Sequence, residues 1–273
     1  MRTIVHTARI YTASLITVLI VSSCSSTADV ATVSESYSKQ LSQQNVDAVI
    51  WTATSAEMFY ASHQAFDLAN YKLRAKLNKE EKDRPMAVVM DLDETVIDNS
   101  PYSIEQIALG KTFNPDTWYE WCMEANAELL PGALAFIKKC EELNVEVFYI
   151  SNRSVETLEG TIANLQKFGI KATSRNVLLK EDESDKTSRR NIVLAKYDVL
   201  LYLGDNLRDF SEIFKDRASN YGKDVVQEEL GNLRENFILI PNPMYGDWKA
   251  PLYGEKRLSQ EEKLKAINSF FKK

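Results

Sequence analysis

The feature that most constrains this chain is a set of short, almost wholly apolar runs spread over residues 86–242. They are "MAVVMDLD" (86–93), "VEVFYIS" (145–151), "NVLL" (176–179), "DVLLYLGD" (198–205) and "NFILIPN" (236–242). Each has the length of a strand, and several are rich in Val and Ile. Unbroken apolar character means burial on both faces, as in a parallel sheet covered by helices. The segments between them read as helices. "PGALAFIKKCEELN" (131–144) starts on a proline, which the first helical turn tolerates. "VETLEGTIANLQKFG" (155–169) places Val155, Leu158, Ile162, Leu165 and Phe168 on one face and stops at Gly169.

Strands alternating with helices predict an α/β fold, a Rossmann-like parallel sheet with helices on both faces. Such sheets bind ligands at the carboxyl ends of their strands. Polar residues gather there: Asp91 and Asp93 after the first strand, Ser151, Asn152 and Arg153 after the second, and Asp205 and Asp209 after a later one. Two carboxylates one residue apart at the edge of a core repel each other. Burying them is costly unless they are paired or bound to a cation.

The N-terminus is expected to lie outside this fold. Arg2 and Arg9 precede an apolar run, Ile10 to Val21, too short for a comfortable membrane span. With "VSSCSS" following, residues 1–23 read as a lipoprotein signal peptide. Cys24 would be lipidated and anchor an exported bacterial lipoprotein to the cell membrane or the outer membrane. Residues 24–44, rich in Ser and Thr, are expected to be a flexible tether. Residues 45–84 form an N-terminal helical segment, with one helix or two between Val46 and Leu77. The core spans 85–245, with a small cap insert at about 98–130, and 246–273 is a C-terminal extension.

Composition excludes several chemistries. The chain has only two histidines, His6 and His63, and the first leaves with the signal peptide. A Ser-His-Asp triad, a multi-histidine zinc site and a histidine nucleophile are therefore ruled out. The net charge is −6, with no basic stripe, so a nucleic acid polymer is not a partner. Cys122 and Cys140 read as buried thiols rather than a bridge.

"DLDET" (91–95), "ISNR" (150–153), Lys186 ahead of a helix and "GDNLRDF" (204–210) resemble, in order, the four motifs of the haloacid dehalogenase superfamily. With the lipobox, "DLDETVIDNSPY" and "WYEW" (118–121), the chain resembles the narrower class C nonspecific acid phosphatases. That group includes outer-membrane lipoprotein e, a 5′-nucleotidase. The resemblance runs from about residue 45 to about 254.

The resemblance implies a role for each motif residue. Asp91 would attack phosphorus and carry an aspartyl-phosphate. Asp93 would serve as general acid and base. Mg²⁺ would be held by Asp91, the Asp93 backbone carbonyl and Asp205, with Asp209 a ligand or its support. Ser151 would hydrogen-bond a phosphate oxygen, and Lys186 would place its ammonium against the phosphoryl group. Thr95, Asn152 and Arg153 would lie near the phosphate. Phe113, Trp118 and Tyr245 match aromatic positions that contact substrate in the family.

The expected reaction is hydrolysis of small phosphate monoesters, foremost 5′-nucleoside monophosphates with nicotinamide mononucleotide among them, and with some activity on aryl phosphates. A homodimer is expected only from the resemblance. Two alternatives stay open: a non-catalytic surface lipoprotein capturing haem or a nucleotide, and a broad phosphatase or phosphotransferase without base preference.

Overall fold

The computed structural model describes residues 26–78, 83–254 and 258–272. The expected signal peptide and Cys24 lie outside them. Five parallel strands form one sheet in the order β3-β2-β1-β4-β5. They are β1 (Met86–Met90), β2 (Glu146–Ser154), β3 (Val177–Lys180), β4 (Asp198–Gly204) and β5 (Phe237–Leu239). The helices, in chain order, are α1 (Ser26–Gln43), α2 (Val46–Thr54), α3 (Ala56–Leu77), α4 (Ser100–Ala108), α5 (Pro115–Glu124), α6 (Ala133–Glu142) and α7 (Leu158–Lys167). They continue with α8 (Thr187–Leu194), α9 (Leu207–Phe210), α10 (Lys223–Glu228), α11 (Leu230–Asn236), α12 (Ala250–Tyr253) and α13 (Gln260–Phe270).

The apolar runs make a two-faced sheet because side chains alternate along a strand. Val88 and Met90 point into the larger core, with Phe66 and Leu73 of α3, Phe136 and Ile137 of α6 and Leu165 of α7. Ala87 and Val89 point the other way, with Phe148, Ile150 and Val193 of α8. β1 is central, with β2 on one side and β4 on the other. The order reverses there, so the crevice opens at the end of β1.

Two of the N-terminal expectations are settled. The predicted tether over 24–44 is wrong where it is described, since Ser26–Gln43 is helix α1, packed on α13 and α4. The segment is short of large apolar residues, but Ser38 and Ser42 are buried, and small side chains let helices approach closely. The following segment is two helices. The break falls at Ser55, whose extended backbone ends α2 and whose hydroxyl accepts from Met58 N at 3.0 Å to cap α3.

The cap insert leaves and rejoins the core through a narrow neck. Ile97 bridges Leu129 antiparallel. Asp98 N donates to the Glu128 carbonyl and Leu130 N to that of Val96, both at 2.9 Å. The cap contains α4 and α5, and α5 lies against α7. Gly160 of α7 permits that approach: a Cβ there would stand 2.8 Å from Met123 Cα and nearer still to the Cys122 carbonyl. Cys122 and Cys140 are buried and free. Among the described residues no helix is long and apolar enough to cross a membrane.

Candidate active site

Asp91 directly follows β1, and its N–H donates to the Leu203 carbonyl of β4 at 2.9 Å. The chain then turns sharply. Glu94 adopts φ +57°, a conformation uncommon outside glycine, and its N–H donates to the Ile97 carbonyl at 2.9 Å. This turn holds Asp91 and Asp93 at the mouth of the crevice.

Lys186, from the loop before α8, reaches into the same place. Its Nζ pairs with Asp91 Oδ1 and with Asp209 Oδ1, the latter at 2.7 Å. All three side chains are buried. Burial works against the charge on Lys186, but Asp209 and Asp91 outweigh it and hold the ammonium above its usual range. Burial also raises the Asp91 carboxyl, to about 7, with Lys186 opposing and Asp209 and Asp93 adding. Asp205, just past β4, is likewise held well above the usual carboxylate range by burial and then by Asp209 and Asp91. Its Oδ2 accepts from Asn242 Nδ2 at 2.7 Å.

Such crowding of buried carboxylates calls for positive charge beyond Lys186. Asp91, Asp205 and Asp209 each offer an oxygen, all within 4.8 Å of one another. These hard oxygen donors fit a small divalent cation. Asp209 is already engaged on both sides. Its Oδ1 meets Lys186, and its Oδ2 accepts from Asn206 N at 2.9 Å in a capping box. That leaves Asp91 and Asp205 as the freer ligands, with Asp209 bracing Lys186. Gly204 is needed for this, since a Cβ would fall 2.6 Å from Asp209 Cβ.

The Asp93 carboxyl is held by a second set of partners. Its Oδ1 accepts from Arg153 Nε at 2.8 Å and from Asn99 Nδ2 at 2.9 Å. Its Oδ2 accepts from Ser151 Oγ at 3.2 Å. Arg153, expected near the phosphate, lines the cavity and grips Asp93. It is 2% exposed, and Asp93 holds its guanidinium charge against the opposing effect of burial. Asn152 lines the cavity, and its Oδ1 accepts from Arg189 at 2.8 Å. Thr95, expected near the phosphate, sits beneath the surface. It is fully buried, lines no part of the cavity, and its hydroxyl has no partner.

Above this floor stands a cavity of about 1220 Å³. Phe113, Trp118 and Tyr245 all line it, together with Asp91, Asp93, Ser151, Lys186 and Asp205. Phe113 and Trp118 are 5.9 Å apart between ring centroids, and Trp118 also meets Tyr102 edge-on at 5.0 Å. Tyr245 comes from a different segment, after β5. Sequence reasoning gave no site role to three supports of the floor: Asn99, Arg189 and Asn242. Asn99 had a signal, because an Asn one residue before "SPY" reads as a helix cap, yet its side chain makes no cap bond and is free for other work.

A family model for acid phosphatases of the haloacid dehalogenase superfamily, subfamily IIIB, matches residues 8–248. The fold is similar to that of the class C acid phosphatase from Bacillus anthracis, seen in two solved structures, one with tungstate bound. Each has a TM-score of 0.78 and 37% identity, over 84% of this chain and 97% of that one. Among curated proteins, the stem 28 kDa glycoprotein of Glycine max is 27% identical over 130 residues, 44% of this chain and 51% of that protein. Vegetative storage protein 1 of Arabidopsis thaliana is 23% identical over 165 residues, 58% of this chain and 54% of that protein. The chain spans about half the length of the curated relatives it matches.

Proposed function

The chain belongs to the acid phosphatases of haloacid dehalogenase subfamily IIIB, and on that premise we propose that it hydrolyses 5′-nucleoside monophosphates through an aspartyl-phosphate at Asp91. The observation that carries the reading is the Asp91–Lys186–Asp209 cluster at the floor of a cavity whose walls are aromatic. Asp91 Oδ2 has no protein partner among the described residues and is the oxygen free to attack. An ionised carboxylate needs no base to act as nucleophile.

Each step then falls to a named group. Asp91 forms a bond to phosphorus as the ester P–O bond breaks, and Asp93 passes a proton to the departing alkoxide. Asp93 next takes a proton from water, which attacks the acyl phosphate and releases inorganic phosphate and free Asp91. Lys186 keeps its charge throughout and offsets the negative charge gathering on the phosphoryl oxygens. Ser151 is placed to donate to the same oxygens once its hydroxyl rotates away from Asp93. A magnesium ion held by Asp91 and Asp205 would supply Lewis-acid neutralisation of the phosphoryl group. The bound tungstate of the Bacillus anthracis relative supports a site for a tetrahedral oxyanion.

The base preference rests on Phe113, Trp118 and Tyr245. Stacking on aromatic rings contributes about 1–3 kcal/mol per base and tolerates any base. The decisive experiment measures phosphate release from nucleotides and from small alkyl phosphates, with Mg²⁺ and with chelator. Nucleotide-selective, Mg²⁺-dependent release, lost at least about 10⁴-fold in Asp91→Asn, is the expected result. Release that survives Asp91→Asn would remove the covalent route. We also propose lipid attachment at Cys24, supported by the sequence "VSSCSS". Palmitate labelling in cells should vanish in Cys24→Ser.

A further inference from the structure

Asn99 begins the cap, one residue before α4, and is 1% exposed. An Asn at that position ordinarily caps the helix with its side chain. Here it caps nothing. Its Oδ1 instead accepts from Trp121 Nε1 of α5 at 2.8 Å and from Arg153 at 3.2 Å. Both partners are donors only, so the amide has one allowed orientation. The Nδ2 must then face Asp93, and it donates to Oδ1 at 2.9 Å. Arg153 Nε donates to the same oxygen at 2.8 Å and itself rests against Thr161, also at the cap side of the core.

With two fixed donors, Asp93 Oδ1 has no lone pair left for a proton. Oδ2 meets only the Ser151 hydroxyl, which can rotate, at 3.2 Å. We infer that Asn99 is a positioning residue for the general acid: clamped by Trp121 and Arg153, it fixes the Asp93 carboxyl through Oδ1 and leaves Oδ2 as the oxygen open to exchange with substrate. The inference rests on the acid role of Asp93 stated above. It also links specificity to chemistry. Trp121 and the cavity-lining Trp118 share helix α5, and the Arg153 guanidinium lies 5.6 Å from the Trp118 ring.

The test uses leaving groups that differ in their need for a proton. Ethyl phosphate releases an alkoxide that must be protonated, whereas p-nitrophenyl phosphate releases a stable phenolate. Asn99→Leu should lower kcat/KM for ethyl phosphate about 10²-fold, with a far smaller loss on the nitrophenyl ester. Trp121→Phe removes only the donor that orients the amide, and should lower the ethyl ester alone, about fivefold. This milder variant keeps the test open if Asn99→Leu folds poorly. Equal losses on both esters in both variants would overturn the inference. Asp93→Asn serves as reference. If it shows leaving-group selectivity and the other two do not, the positioning role fails while the acid role stands. If Asp93→Asn itself lacks that selectivity, the acid role fails and the inference with it.

Discussion

The floor and the wall of the cavity are built on different terms. On the floor, Asp91, Lys186 and Asp209 are nine-tenths or more buried, mutually paired and hung from strand ends. On the wall, Phe113 is 63% and Tyr245 41% exposed, and both come from loops beside short helices. Reaction chemistry needs groups held to a fraction of an ångström, which a sheet provides. Recognition of an aromatic leaving group needs only flat surface, which loops provide. The contrast predicts that substitutions in the Asp91–Lys186–Asp209 cluster damage nucleotides and alkyl phosphates alike, whereas wall substitutions sort the two.

The largest test of that contrast is Lys186→Met. Removing the ammonium strands two buried carboxylates and should cut kcat about 10²–10³-fold for nucleotides and alkyl phosphates alike. A loss confined to nucleotides would break the division. Next comes Trp118→Ala, expected to raise KM for nucleotides about tenfold or more with kcat for small alkyl phosphates changed little. Equal effects on both would make Trp118 part of the floor rather than the wall.

Gly160→Ala probes the seam between the two regions. Its methyl would push α5 off α7, costing about 1–3 kcal/mol, read as a fall in Tm. A nucleotide KM that rises with it would show that the wall is set by this crossing. The smallest effect concerns Cys122, beneath the wall, and Cys140, in the core. Burial pushes both thiols up to about 12, so the thiolate fraction at pH 8 is on the order of 10⁻⁴. Alkylation of the folded protein should be slow, rise with pH and become complete only in denaturant. Fast labelling of Cys122 alone at pH 8 would mean that the wall opens.

What could be read from the chain follows the same division. The strands were legible because burial on both faces leaves unbroken runs such as "MAVVM" and "DVLLYLG", and the floor because its residues sit at their ends. Lys186 was legible by motif, although the charged stretch around it reads as a solvated loop. Arg189 and Arg190 in that same stretch are buried, each bonded to a backbone carbonyl, which charge patterning alone does not disclose. The pairing of Arg153 with Asp93 was not legible, because the two lie sixty residues apart in sequence. Helix α1 was missed for a related reason. Its Ser-rich face is a packing surface only in the presence of α13, from the other end of the chain.

The narrow neck of the cap has an evolutionary consequence. Entry and exit meet in one bridge, Ile97 with Leu129, so both ends of the insert are pinned side by side whatever lies between. Doubling the length of a segment closed in this way adds only about 0.6 kcal/mol of entropy. The insert can therefore lengthen, shorten or be exchanged for another without disturbing the sheet. A lineage could change its diet of esters by replacing one contiguous stretch of gene while Asp91, Lys186 and Asp209 are inherited intact, provided that the new stretch again supplies the partners of Asp93 that Asn99 and Trp121 provide here.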